Sequence, residues 1–545
     1  MACIERNLQH VINALSRWAL ENGFKFSTSK TVCMHFCTRR GICLDPALNL
    51  DGTPIPVVPT FKFLGVHFDR RLSFKPHIDY VRAKCQKALN LLRVIAARGW
   101  GADRNIKLML YRALVRSKLD YGCIVYGASF KSHMAKLAPV QNQGLRICLN
   151  AFRTTNAASL HVEANEMPIK LRHIKLSMQY VVKTLSSPSN PTHKLLATPS
   201  FQHKFDRTKA IRPLGLRIRP HFEAAAIDTT VLASYRPSKV PPWRLKTPIV
   251  DFSLTHYSKR CTSPDTYNAL FLELRARHDD AEFIFTDGSK IGEQTSCAFV
   301  YDRFTYSQRL TDNASIFTAE IKAIYLALKR IKLCPSQRHF VICSDSLSVL
   351  QCLHSGLLHN SMLVKVLHEY HSLPDNQVSF MWLPSHMDIP GNEAADKAAK
   401  EALNKCITPL FIPHSDYKPV IKEYVIRKWL ETWPDKPGNH LYLTGATVNQ
   451  PQPLEATNRE DSVIRRVRMG HTRLTHAHLL CGADSPYCRT CHRRITVQHF
   501  LLDCTLYQGA RARHFKATTV WDLFNKVPTA NIIAFLKEIN LFTKI

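Results

Sequence analysis

The 545-residue sequence contains no run of about 18 uninterrupted apolar residues, the length a helix needs to cross a bilayer, so no membrane span is expected. Met1 is not followed by a charged-then-apolar leader, which argues against export and for a soluble, intracellular protein of the cytoplasm or nucleus. Internal repeats are absent, which excludes a solenoid or propeller, and so are low-complexity tracts. Acidic residues are scarce: 42 Asp+Glu stand against 74 Lys+Arg, a formal charge of +32. An acidic partner is therefore implied, nucleic acid before anionic membrane. Cysteine is plentiful, but 17 is an odd number in a chain without an export signal. Free thiols or metal ligands are expected from it rather than a disulfide framework.

With 45% hydrophobic and 21% charged residues the composition is that of an ordinary folded protein, long enough for two to four domains. The charge is unevenly spread. Between Arg277 and Lys405, 15 Asp+Glu face 13 Lys+Arg, a net of −2, which leaves +34 for the remainder. One near-neutral domain thus sits inside a strongly basic chain, a layout suited to an acidic site flanked by surfaces that hold phosphates.

The periodicity divides the chain into four parts. Residues 1–185 begin with an amphipathic helix over Leu8–Leu20, which places Val11, Leu15, Trp18 and Ala19 on one face. A strand-like stretch over Phe24–Phe36 and a short strand pattern over Phe61–Phe68 follow, and the rest is helical. Residues 186–275 are rich in proline and basic residues and read as an irregular connector. Residues 276–405 alternate strands with helices, and 413–545 form a second basic, helical region.

Within 276–405, the apolar strand Glu282–Asp287 ends in an acid, and Gly288-Ser289 would turn the backbone away. A helix over Ser315–Ile331 buries Ile321, Ile324, Leu328 and Ile331 and carries Glu320 beside that stripe. The strand His339–Ser344 stops at a second acid, Asp345. After the strand Val378–Leu383, a loop bearing His386 leads into a helix on which Asp396 sits among Ala394, Ala395, Ala398 and Ala399. Taken singly, a strand-end Asp is usually a cap and a helical Glu is usually solvated. Four acids in the order strand, helix, strand, helix within about 110 residues of a βββαβαβα pattern point instead to one cleft.

Carboxylates so gathered would repel one another unless divalent cations neutralise them, and hard oxygen ligands select Mg2+ or Mn2+. Two such ions can activate a water and stabilise the leaving oxygen of a phosphodiester displacement. In this reading Asp287 bridges both ions, Glu320 and Asp345 share one, and Asp396 completes the other site. His386 assists proton movement or product release.

Thr286-Asp-Gly-Ser289, Thr318-Ala-Glu320, Ser344-Asp-Ser346 and Ser385-His-Met-Asp-Ile-Pro-Gly-Asn-Glu-Ala-Ala-Asp396 resemble the type 1 ribonuclease H family, in the version found in non-LTR retrotransposons. The resemblance covers about 280–405. It implies an α/β fold with a mixed five-stranded sheet and flanking helices, two Mg2+ ions, and endonucleolytic cleavage of the RNA strand of RNA–DNA hybrids that leaves 5′-phosphate and 3′-hydroxyl ends. One departure stands out: the family commonly has Gly two residues after the loop His, and this chain has Asp388.

Upstream, Phe26-Ser-Thr-Ser-Lys-Thr31, Phe63-Leu-Gly-Val-His-Phe68 and Arg116-Ser-Lys-Leu-Asp-Tyr-Gly122 resemble the last palm segments and the thumb of a retrotransposon reverse transcriptase. The aromatic-x-Asp-Asp motif and the earlier catalytic Asp of that family do not precede them, so 1–185 is expected to be a truncated, template-gripping remnant without polymerase activity. Downstream, Cys488-x2-Cys491-x7-His499-x4-Cys504 has spacings that could close a tetrahedral zinc site, with ordinary free thiols as the alternative. It lies behind the basic segment Ile464-Arg-Arg-Val-Arg468, and the resemblance implies an accessory nucleic-acid clamp there. The expected activity is a metal-dependent ribonuclease H; the rival reading is a non-catalytic nucleic-acid-binding remnant.

Overall fold

The structure is a computed structural model that describes residues 2–37, 44–96, 101–198, 212–235, 238, 240–335, 338–356, 360–375, 377–433, 439–455 and 457–545. It separates into two compact units. One comprises Met1–Ser177, His203–Leu214 and Val425–Ile545, the other Met178–Gln202 and Gly215–Tyr424. Among the described residues no helix is long and apolar enough to cross a membrane.

The second unit is α/β. Its elements are β1 (Val250–Asp251), α1 (Pro264–Ala276), β2 (Ala281–Ile291), β3 (Gln294–Tyr301), β4 (Phe304–Arg309), α2 (Ile316–Ile331), β5 (His339–Ser344), α3 (Leu347–His354), α4 (Ser361–His371), β6 (Val378–Trp382) and α5 (Pro390–Ala402). The sheet runs β1-β6-β5-β2-β3-β4. β2, β3 and β4 form an antiparallel meander, while β2, β5, β6 and β1 are parallel. Five of the strands are those expected from the sequence. The sixth, β1, comes from the stretch read as an irregular connector: it pairs Val250 with Phe380 and Asp251 with Met381, and the Phe380 amide donates to the carbonyl of Ile249 at 2.9 Å. Two residues suffice because they cover an edge whose amides and carbonyls would otherwise lack strand partners.

Helices cover both faces of the sheet. On one, α2 starts where the Ser315 side chain accepts from the Thr318 amide at 3.1 Å. Its Ile321, Ile324, Leu328 and Ile331 are fully buried against Leu350, Val366 and Phe380. Each such side chain contributes roughly 1.5–3 kcal/mol relative to exposure. On the other, Tyr267, Phe271 and Leu274 of α1 pack on Phe283, Val341 and Met381.

The first unit is mostly helical, and its core draws on both ends of the chain. Leu89, Tyr111 and Leu145 share one cluster with Trp429, Trp433 and Leu441. A second cluster joins Val463, Phe500, Leu523 and Phe535. The basic segment Ile464–Arg468 does not form a phosphate-binding surface. Its helix, Asn458–Arg468, buries all three arginines. Arg465 and Arg468 meet the fully buried Glu163 at 2.6 and 3.1 Å, and Arg466 donates to the carbonyls of Asn150 and Ile545. Spacing alone cannot separate a solvated basic face from arginines committed to an internal carboxylate.

Other local expectations differ in detail. The first helix spans Ala2–Glu21, yet it buries Ala19 and Ser16 while Leu15 and Trp18 are half exposed. Phe24–Phe36 forms no ladder, because Ser27 and Thr31 bond locally and only Cys33 bridges to Val57. The Phe61–Phe68 pattern is a hairpin, Thr60–Phe63 with Val66–Asp69, turned at Leu64-Gly65. A helix over Leu214–Ala224 lies within the connector. Among the described residues fifteen cysteines are free, as expected, and Cys37 is disulfide-bonded.

Candidate metal centre

Asp287 does not end its strand. β2 continues to Ile291, and Asp287 pairs with Ala298 of β3. On the other side, β5 terminates opposite it. Thr286 is in register with Ser344, and the Thr286 hydroxyl donates to the carbonyl of Cys343 at 3.0 Å. The next residue on each parallel strand is therefore an acid, so Asp287 and Asp345 stand side by side. By strand alternation both lie on the same face as Phe285 and Cys343.

Gly288 has a role other than the turn expected of it. A Cβ at this position would lie 2.8 Å from Ala319 Cβ and 2.9 Å from the Glu320 amide nitrogen, so only glycine lets α2 approach β2 this closely. That approach brings in Glu320. One carboxylate oxygen from each of Asp287, Glu320 and Asp345 lies within 4.8 Å of the others.

The cluster is buried, with Asp287 5% and Glu320 6% exposed. Burial raises the Asp287 pKa, and Asp345 and Asp396 raise it further, to about 8. Burial likewise lifts Glu320 well above the usual carboxylate range, helped by Asp287 and Asp345. Asp345 is raised by burial too, opposed by His386 and reinforced by Asp396. Among the described residues Asp287 Oδ2 and Glu320 Oε2 have no hydrogen-bond partner. Buried acceptors left unmatched in this way are costly unless something outside the chain satisfies them.

Asp396 approaches from α5, which lies against β2 because a Cβ on Gly391 would fall 2.2 Å from the Phe285 ring. It groups with His386 and Glu393 within 4.8 Å rather than with the other three acids, although its charge is felt at Asp287 and Asp345. Its Oδ2 faces Lys400 Nζ at 2.6 Å.

The ribonuclease H family profile matches residues 279–404. This segment is a ribonuclease H domain. The chain is also similar to an RNA-directed DNA polymerase from the mobile element jockey of Drosophila melanogaster, with 27% identity over 39% of this chain and 23% of that protein. It resembles a Pol polyprotein from the type-1 retrotransposable element R1 of Bradysia coprophila at 28% identity, over 26% of this chain and 14% of the relative. A Pol polyprotein from an R1 element of Nasonia vitripennis is 22% identical over 33% of this chain and 45% of its own length. The chain thus spans less than half of each of these relatives, which are non-LTR retrotransposon polyproteins.

In the ribonuclease H domain the loop after β6 carries the departure at position 388. Asp388 has φ 55° and His386 φ 52°, both left-handed, a conformation glycine adopts freely and Asp tolerates. His386 is exposed, with its Nδ1 3.9 Å from Glu393 Oε2. The sequence reading did not single out Glu393, Lys400 or Lys259. The first two flank Asp396 at three and four residues along α5, the spacing that makes helical neighbours. Lys259 lies far upstream, and its ammonium reaches the site by donating to Ser385 Oγ at 3.0 Å. No local pattern marks it.

The second cluster is in the other unit. Cys488, Cys491, His499 and Cys504 each offer a ligand atom within 4.8 Å of the others. Cys504 Sγ lies 3.9 Å from Cys488 Sγ and 3.8 Å from Cys491 Sγ. Sulfurs at about 2.3 Å from a tetrahedral ion stand about 3.8 Å apart. The Thr505 hydroxyl and amide pull the Cys491 thiol down to about 7, burial pushes Cys504 up to about 11, and His499 Nε2 is buried without a partner.

Proposed function

We propose that the chain hydrolyses the RNA strand of RNA–DNA hybrids, with divalent cations held by Asp287, Glu320, Asp345 and Asp396. The observation that carries this reading is the trio Asp287, Glu320 and Asp345, whose carboxylates converge within 4.8 Å while two buried oxygens lack partners. The donor set is all carboxylate oxygen, which fits Mg2+ or Mn2+. Bound there, the ions supply Lewis acidity toward the phosphodiester and a water of lowered pKa.

The chain's own groups do the positioning. The Trp382 indole donates to the Asp345 backbone carbonyl at 3.0 Å and fixes the end of β5. Thr286 locks β2 to β5, so the two aspartates keep their spacing. Lys400 holds Asp396 through an exposed i,i+4 contact, worth only about 0.3–0.5 kcal/mol, so the carboxylate can turn inward at small cost. His386, on its left-handed loop, can take up or release a proton at the rim.

The positive charge outside this domain favours a polyanionic substrate in the cytoplasm or nucleus. The Cys/His cluster is proposed to hold a structural Zn2+, for which the orphaned His499 nitrogen and the sulfur spacing are the support. No polymerase activity is assigned, because the sequence has no aromatic-x-Asp-Asp motif.

The test is cleavage of an end-labelled hybrid alongside duplex RNA, duplex DNA and single strands, with Mg2+ or with chelator. Hybrid-selective cutting that needs the metal and leaves 5′-phosphates is expected. An uncut hybrid, or cutting unaffected by chelator, overturns the reading.

A further inference from the structure

We propose that a second cavity, sharing no residue with the acidic cluster, binds a nucleotide through its phosphate and its base. The cavity has a volume of about 910 Å³, within the usual range for small-molecule sites, and all its lining residues belong to the second unit. Lys183 and Lys418 stand at its exposed rim, and neither has an ion-pair partner among the described residues. His414 lines the same cavity. Its pKa is lowered by burial first and then by the charges of both lysines, and all three residues line the one cavity.

Among the described residues the lining contains a single carboxylate, Asp416, and its oxygens are already hydrogen-bonded. It is buried and accepts from the Ser315 amide at 2.8 Å and the Ser415 hydroxyl at 3.1 Å, at the start of α2. The free charge facing the cavity is therefore positive. Tyr180 and Phe317 add aromatic surface to the wall. Unpaired ammonium groups beside aromatic rings suit a phosphate joined to a base, since every base has a face that can stack.

Nucleotide could reach the cavity as a free monophosphate or as part of a single strand. Calorimetry on the full chain in chelator, which removes metal-mediated binding, tests this with adenosine 5′-monophosphate, adenosine and inorganic phosphate as probes. One equivalent of the monophosphate is expected to bind, and either fragment should bind at least roughly tenfold more weakly. The double variant Lys183→Glu/Lys418→Glu should weaken monophosphate binding by roughly tenfold or more, with its circular dichroism and thermal melt unchanged. Competition by a dT tetramer identifies a strand as the source, and its failure to compete identifies the free nucleotide. Three results overturn the proposal: no monophosphate binding at millimolar concentration, binding unchanged in the folded double variant, or inorganic phosphate binding as tightly as the nucleotide.

Discussion

Lys400 Nζ lies 2.6 Å from Asp396 Oδ2, one turn further along α5, and so its ammonium already sits on a carboxylate proposed as a metal ligand. The contact is exposed and weak, which makes Lys400 a competitor that a divalent ion can displace. Lys400→Met should tighten Mg2+ binding by roughly twofold to fivefold without changing the melting temperature. Titration of Mg2+ into both proteins checks it; unchanged or weaker binding would show that Asp396 is not a ligand.

The raised carboxylate pKa values give a pH dependence with a definite sign. In the unfolded chain Asp287 loses its proton near pH 4, whereas in the metal-free fold it keeps it up to about pH 8. The folded state therefore binds more protons across that window, and the stability this group contributes is full at low pH and lost as pH rises through about 8. Asp287→Asn cannot ionise. In chelator it should melt above the wild type at pH 8 and close to it at pH 5, and Mg2+ should restore the wild type at pH 8. Thermal melts at the two pH values decide this. A wild type that is equally stable at both, relative to Asp287→Asn, would mean the acids are not held close.

Asp388 adopts φ 55° where glycine would be unstrained, and its carbonyl accepts from Asn268 Nδ2 at 3.0 Å. Asp388→Gly should change stability by less than about 0.5 kcal/mol, since relief of strain and added chain entropy oppose each other. Asp388→Ala should cost about 1 kcal/mol. Denaturant unfolding distinguishes them, and equal effects would remove the conformational argument.

At the Cys/His cluster, one equivalent of zinc is expected per chain. Cys491→Ser should lose it and melt at lower temperature. Zinc affinity should fall as pH drops, because the Cys504 thiol holds its proton up to about 11, and more steeply below about 7, where protons also compete for the Cys491 thiolate. Metal analysis of both proteins and a chelator competition across pH measure this. Full zinc in Cys491→Ser would break the cluster as described.

Much of the domain was legible because its signals are local. The 3.6-residue stripe through Ile321 and Ile331 and the acids near the ends of apolar strands each lie within one short segment. The remainder depends on partners distant in sequence. Val250 becomes a strand only because Phe380 lies beside it, and Gly288 serves helix approach because Ala319 is there. Arg465 and Arg468 read as a basic face until Glu163, some 300 residues earlier, is found beneath them. Leu15 and Trp18 gave the correct helix, but no periodicity shows whether a stripe is covered.

Asp287, Glu320 and Asp345 are proposed to act together as a cation-dependent cutting site. The most direct test is Mg2+-dependent cleavage of a labelled RNA–DNA hybrid by wild type and Asp287→Asn at matched hybrid occupancy. The variant is expected to bind hybrid as the wild type does, because shape is kept and one charge is lost, while cleavage falls to background. Cleavage by Asp287→Asn at the wild-type rate would contradict it.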